Sequence, residues 1–147
     1  MYGGTTAAEI LLVEDDPASV RLAREALKES ALHLNLSVQH DGEQALSFLR
    51  HVDPHSDAPR PDLILLDMNL PRKDGLAVLK ELKGDDTLKS IPVVMFTTSE
   101  APRDVQGSYG LHANCYITKP RDLDQYFRVM RSITEFWLTT ATLPPRR

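Results

Sequence analysis

Residues 63–75 read LILLDMNLPRKDG, and the way this stretch begins and breaks off decides the fold. Leu63, Ile64, Leu65 and Leu66 form a continuous apolar run that stops abruptly at Asp67. A run this short, closed by a charge, reads as a buried strand rather than a helix. Pro71 and Gly75 then mark a turn, and Leu76, Leu79 and Leu82 recur at the spacing of one helical face. The unit is a strand, an acidic end, a loop and a helix.

The same unit recurs on both sides. Upstream, residues 10–13 form a short apolar run that ends at Glu14-Asp15-Asp16-Pro17. Asp16 before Pro17 reads as a helix N-cap with proline at the first helical position, and Val20, Ala23 and Leu27 continue a helix to about Ser30. Leu32, Leu34, Leu36 and Val38 alternate with polar residues as a second strand, and Asp41-Gly42-Glu43-Gln44 offers a capping box into Ala45, Leu46 and Leu49. Residues 50–61 hold three prolines and two histidines, which breaks the periodicity and predicts a long surface loop. Downstream, Pro92 introduces the run 93–96, which ends at Thr97. A weaker helix is expected over 103–111, and a fifth strand over 115–117, ending near Lys119-Pro120. A last helix should carry Leu123, Phe127, Met130, Ile133 and Trp137 on one stripe.

Five strands alternating with five helices imply a doubly wound α/β domain: a parallel sheet covered on both faces and joined by right-handed crossovers. Such sheets bind ligands at the carboxyl ends of their strands. The residues there are Glu14, Asp15, Asp67, Thr97 and Lys119. Several carboxylates gathered in one crevice repel one another unless a cation neutralises them, and hard oxygen ligands suit Mg²⁺.

Composition limits the alternatives. The chain has 147 residues, 41% hydrophobic and 26% charged, enough for one domain. The formal charge of -4, with no basic stripe along any expected helix, argues against a nucleic-acid partner. No leader-like or membrane-length apolar run is present in the sequence, so no membrane partner and a cytoplasmic location are expected. Cys115 is the single cysteine and reads as a small core residue. His51 and His55 have a spacing compatible with metal binding, but Pro54 between them argues against one helix face presenting both.

The motifs LLVEDDP, LILLDMNLPRKDG, PVVMFTTS and CYITKP, in this order, resemble the receiver domains of two-component response regulators over nearly the whole chain. The resemblance implies a flavodoxin-like (βα)5 fold with strand order 2-1-3-4-5, one receiver domain over 9–138, a flexible tail over 1–8, and an extension over 139–147. It implies phosphorylation of Asp67 by a histidine kinase. Thr97 is then the switch hydroxyl and Lys119 the basic residue at the phosphoryl group. Asp15, Asp67 and the backbone carbonyl of Asn69 would hold Mg²⁺, with Glu14 behind them, and Tyr116 would move with Thr97. Output is expected on the face of helix 4, strand 5 and helix 5. Where many receivers have a very small residue after the switch hydroxyl, this chain has Thr98. Ser99 and Asn69 should influence how fast the aspartyl phosphate hydrolyses.

The Pro- and His-containing loop, the PRKDG turn, the FTTS strand end and the FWL…LP tail further resemble the small receivers that partner phytochrome-type histidine kinases of bacteria and cyanobacteria. The short sequence after Lys119 suggests output by protein contacts. Phe136, Trp137, Leu138 and Leu143 are expected to contribute to a homodimer through the helix 4, strand 5, helix 5 face and the tail. A flavin carrier is disfavoured because Glu14-Asp15-Asp16 would repel a phosphate. A phosphatase with an aspartate nucleophile needs a second aspartate where Asn69 stands. A degenerate receiver acting only as a binding module would lack Asp67, Thr97 or Lys119. The expected protein is thus a signalling phosphoprotein rather than a turnover enzyme.

Overall fold

The computed structural model describes residues 6–146. Five parallel strands, β1 (Ala8–Val13), β2 (Leu34–Gln39), β3 (Leu63–Leu66), β4 (Val93–Thr97) and β5 (Cys115–Thr118), form one sheet in the order β2-β1-β3-β4-β5. They alternate with α1 (Pro17–Lys28), α2 (Gly42–Leu49), α3 (Gly75–Gly84), α4 (Pro102–Gly110) and α5 (Leu123–Glu135). A π-helical turn over Phe136–Thr140 extends α5.

Two cores explain the double winding. Alternate strand residues point to opposite faces. Leu11, Val13, Ile64, Leu66, Val93 and Met95 meet α2 and α3 on one face, with Leu46, Phe48, Val78, Leu79 and Leu82 in that core. Ile10, Leu12, Leu63, Leu65, Val94 and Phe96 meet α1 and α5 on the other, against Val20, Ala23, Tyr126, Met130 and Ile133. The apolar run of β3 is buried along its whole length because it supplies both cores.

The caps expected at Asp16 and Asp41 are in place, and two more helices start in the same way. Asp16, Asp41, Asp74 and Asp122 each accept a backbone N–H from the first turn of their helix. Asp41 accepts from Gln44 N at 2.7 Å, but the Gln44 side chain does not complete the capping box: its Oε1 lies 3.1 Å from His55 Nε2. The 50–61 segment is a loop as expected. His55 packs edge-on against Phe48 at 5.6 Å, and His51 is exposed, so the two histidines do not form a pair.

Several expected boundaries move. Ala8 is fully buried at the start of β1, opposite Leu34, so the expected tail over 1–8 ends before it. Residues 1–5 lie outside the described residues. The buried stripe of α5 is Tyr126, Met130, Ile133 and Thr134, whereas Leu123, first in the helix beyond the Asp122 cap, is 57% exposed. Leu138 is a core residue, 4% exposed, and not a surface available to a second subunit. Leu143 and Trp137 pack against the same core, and of the expected dimer contacts only Phe136 is prominently exposed, at 51%. The C-terminal segment therefore belongs to the domain, and Arg146 ties it to Asp62 at the start of β3 and to the Ala7 carbonyl.

Candidate functional site

The site forms where strand ladders end. Glu14 N donates to the Gln39 carbonyl at 3.0 Å, Asp67 N to the Val13 carbonyl at 3.1 Å and Lys119 N to the Thr97 carbonyl at 2.7 Å. Each is the first residue beyond its strand, so its side chain projects over the carboxyl edge of the sheet instead of into a core. Glu14, Asp67 and Thr97 are buried, Lys119 is half-buried, and Asp15 is exposed.

Lys119 joins the two buried carboxylates. Its Nζ is hydrogen-bonded to Glu14 Oε1 and lies 3.4 Å from Asp67 Oδ2, and it stands 5.7 Å from the centre of the Phe96 ring. The other oxygen of Asp67, Oδ1, accepts from Met68 N at 2.7 Å. Burial pushes the Glu14 carboxyl above its ordinary value, against the opposing pull of the Lys119 hydrogen bond and charge, while the Asp67 charge pushes it further up. Glu14 also accepts from Asp16 N at 3.1 Å, and His40 Nδ1 lies 3.2 Å from the Glu14 carbonyl.

The loop after Asp67 is held by close backbone approach. Gly75 N donates to the Met68 carbonyl at 2.8 Å, and a Cβ on Gly75 would stand 2.1 Å from the Asp67 carbonyl. A Cβ on Gly42 would stand 2.0 Å from the Lys73 carbonyl. Only glycine fits at these two contacts. Arg72 adopts φ 67° in the same loop, with its guanidinium 3.7 Å from both Asp41 and Glu43.

Thr97 is fully buried, and its Oγ1 accepts from Ser99 N at 3.4 Å. The Ser99 carbonyl in turn accepts from the Tyr116 hydroxyl at 2.9 Å, and burial raises the pKa of that phenol. Cys115 is half-buried, with its thiol pKa also raised by burial.

The sequence-predicted residues Glu14, Asp67, Thr97 and Lys119 come together, with Asp15 next to Glu14 and Asn69 exposed in the loop. Among the described residues no three His, Cys, Asp or Glu side chains are grouped to hold a metal ion by themselves. The expected set of two carboxylates and one carbonyl does not require three. Its donor chemistry fits a divalent cation, because the carboxylates of Glu14, Asp15 and Asp67 outnumber the single Lys119 ammonium by two charges. Sequence reasoning missed Met68, whose N–H orients Asp67, and Tyr109, whose hydroxyl reaches β5. Neither leaves a spacing signal.

Known proteins share this fold and this sequence pattern. The sequence profile of the response regulator receiver domain matches residues 10–131. The response regulator Rcp1 of Synechocystis sp. is 50% identical over 135 residues, covering 92% of this chain and 92% of that protein. The crystal structure of the phosphorylated cyanobacterial phytochrome response regulator RcpA superposes with a TM-score of 0.92 at 50% identity, covering 95% of this chain and 100% of that one. The Mn²⁺-bound form of Rcp1 gives a TM-score of 0.89 at 49% identity, covering 94% and 99%.

Proposed function

The chain belongs to the response-regulator receiver family, and from that premise we propose that it accepts a phosphoryl group on Asp67 from a histidine kinase, with Mg²⁺, and signals through protein contacts. The observation that carries this reading is Lys119 poised at both Glu14 and Asp67, with Thr97 at the adjacent strand end.

Phosphoryl transfer passes through a loose transition state, so positioning and charge neutralisation supply most of the catalysis. The Asp67 carboxylate attacks phosphorus; the bond from phosphorus to the donor nitrogen or acyl oxygen breaks, and the donor leaves with that electron pair. The Met68 N–H fixes one Asp67 oxygen and leaves the other toward Lys119. Lys119 neutralises charge on the transferred group, and Thr97 donates a hydrogen bond to a phosphoryl oxygen. Asp15, Asp67 and the Asn69 carbonyl would hold Mg²⁺, with Glu14 supporting from behind, and the ion would neutralise the remaining charge of the phosphoryl oxygens. The Mn²⁺-bound form of Rcp1 supports a divalent ion in this role. The only covalent chemistry in this reading is on the protein's own aspartate, with no separate substrate turned over.

RcpA, a phytochrome response regulator, points to a phytochrome-type histidine kinase as the phosphodonor. A cytoplasmic protein suits such a partner, and among the described residues no helix is long and apolar enough to cross a membrane. We further infer a homodimer through the α4-β5-α5 face, with exposed Phe136 as its apolar anchor in place of the buried Leu138. Light scattering tests this: a dimer at micromolar concentration that Phe136→Asp dissociates is expected, and a wild-type monomer overturns it.

The central test is incubation with Mg²⁺ and a small acyl phosphate, followed by intact-mass measurement. One added phosphoryl mass on the wild type and none on Asp67→Asn is expected. No addition to the wild type, or addition to the variant, overturns the proposal.

A further inference from the structure

Helix α4 is the least embedded of the five helices. Ser108 is its only buried residue, and its N-cap position, Ala101, provides no side-chain cap. Three side-chain tethers hold it instead. At its start, Ser99 Oγ donates to Asp104 Oδ2 at 2.5 Å and accepts from Ala101 N at 3.3 Å. On its underside, Ser108 Oγ donates to the Asp104 carbonyl at 2.7 Å and lies 3.6 Å from the sulfur of Met68, beside the phosphoacceptor.

The third tether is at the far end. Tyr109 is 50% exposed, yet its hydroxyl accepts from the backbone N–H of Tyr116 at 3.1 Å. β5 is an edge strand of the sheet, and its outward N–H groups have no neighbouring strand to bond. A side-chain hydroxyl from α4 takes the place of that strand at Tyr116.

Tyr116 is therefore gripped twice: its hydroxyl by the Ser99 carbonyl at the start of α4, and its N–H by Tyr109 at the end of α4. Ser99 N also reaches Thr97 Oγ1 at 3.4 Å, near the limit of a hydrogen bond. Withdrawal of Thr97 toward a phosphoryl group would release this weak bond and free the Ser99 end. The Tyr109 end would still tie α4 to β5.

We propose that the Tyr109 hydroxyl is a latch on the free edge of β5, a positioning group that makes α4 and β5 respond together when Asp67 is phosphorylated. This rests on the receiver reading and extends it to a residue outside the phosphorylation site. Tyr109 touches neither Asp67 nor Thr97 and acts only through the Tyr116 backbone. Without the latch, the Tyr116 N–H is left to water, and the side-chain hydrogen bond between the end of α4 and β5 is lost.

Tyr109→Phe keeps the exposed ring and removes the acceptor, so it tests the latch with little risk to folding. Amide hydrogen exchange of the full chain is measured with Mg²⁺, with and without a small acyl phosphate, alongside intact mass. In the resting protein the variant should exchange the Tyr116 amide about fivefold faster, the effect of losing one ordinary hydrogen bond. It should gain the phosphoryl mass at the wild-type rate but lose most of the phosphorylation-dependent change in α4 exchange. Equal Tyr116 exchange in the two proteins, or an equal α4 response, overturns the latch. Failure of the wild type itself to gain a phosphoryl mass overturns the receiver reading instead.

Discussion

Each end of the sheet buries a carboxylate against a cation from the C-terminal part of the chain, but the two pairs are built differently. At the amino edge, Arg146 meets Asp62 with two donors: Nε to Oδ1 at 2.9 Å and Nη2 to Oδ2 at 2.5 Å. Glu9 N adds a third bond to Oδ2 at 2.8 Å. At the carboxyl edge, the single ammonium of Lys119 is shared between Glu14 and Asp67, the latter at 3.4 Å. A planar guanidinium fork fixes geometry, whereas an ammonium on a flexible stem supplies a point charge. Asp62 is therefore locked, with its side chain 2% exposed, while the Asp67 side chain stays 12% exposed and weakly held on the face it would use for attack. A buried acid is structural or reactive according to what its cation leaves open.

The largest effect should come from the shared ammonium. Lys119→Met leaves Glu14, Asp15 and Asp67 with no side-chain cation among them. Phosphorylation by a small acyl phosphate should slow by about 100-fold, the scale of losing one preorganised group at a transition-state charge. A time course by intact mass checks this. A rate within threefold of wild type would erase the distinction between the two ends.

The converse variant is Arg146→Met. Removing the fork from a buried carboxylate should cost about 3 kcal/mol, the lower part of the range for breaking a buried pair, because the arginine is about one third exposed. Urea unfolding reads that loss, and the phosphorylation rate should stay unchanged. If phosphorylation slows with stability intact, the amino-edge pair is more than a structural lock. A smaller loss, about 2 kcal/mol, is expected for Gly75→Ala, whose Cβ would displace the Asp67 carbonyl.

The two edges also differ in how well the sequence announces them. The carboxyl edge was legible because each apolar run breaks at a charged or hydroxyl residue, and parallel strands place those breaks side by side. Asp67, Glu14, Thr97 and Lys119 follow from that geometry. The Asp62-Arg146 pair joins residues far apart in sequence, and Asp62 before an apolar strand is indistinguishable from an ordinary solvated residue. The apolar pattern of α5 starts at Leu123, which lies just inside the Asp122 cap and faces solvent, whereas the buried face starts at Tyr126 and reaches Leu138 through Met130 and Thr134. The Tyr109-Tyr116 contact depends on which way an edge-strand N–H points, and apolar patterning carries no such information.

The smallest effect concerns pH and separates burial from pairing at the carboxyl edge. Burial raises the Glu14 pKa above 4.5 even though Lys119 pulls it down. The folded protein therefore holds this proton more tightly than the unfolded chain does. The stabilising contribution is fully present below pH 4.5 and is lost as pH rises through the elevated folded value. Glu14→Gln cannot ionise, so in urea unfolding without divalent cations the wild type should lose stability relative to the variant as pH climbs from 4.5 toward 7, by about 1 kcal/mol for each pKa unit of elevation. A difference that instead moves in favour of the wild type would mean that Lys119 outweighs burial. The carboxyl edge would then be a locked pair like the amino edge, and the openness attributed to Asp67 would have to come from somewhere other than a loosely shared cation.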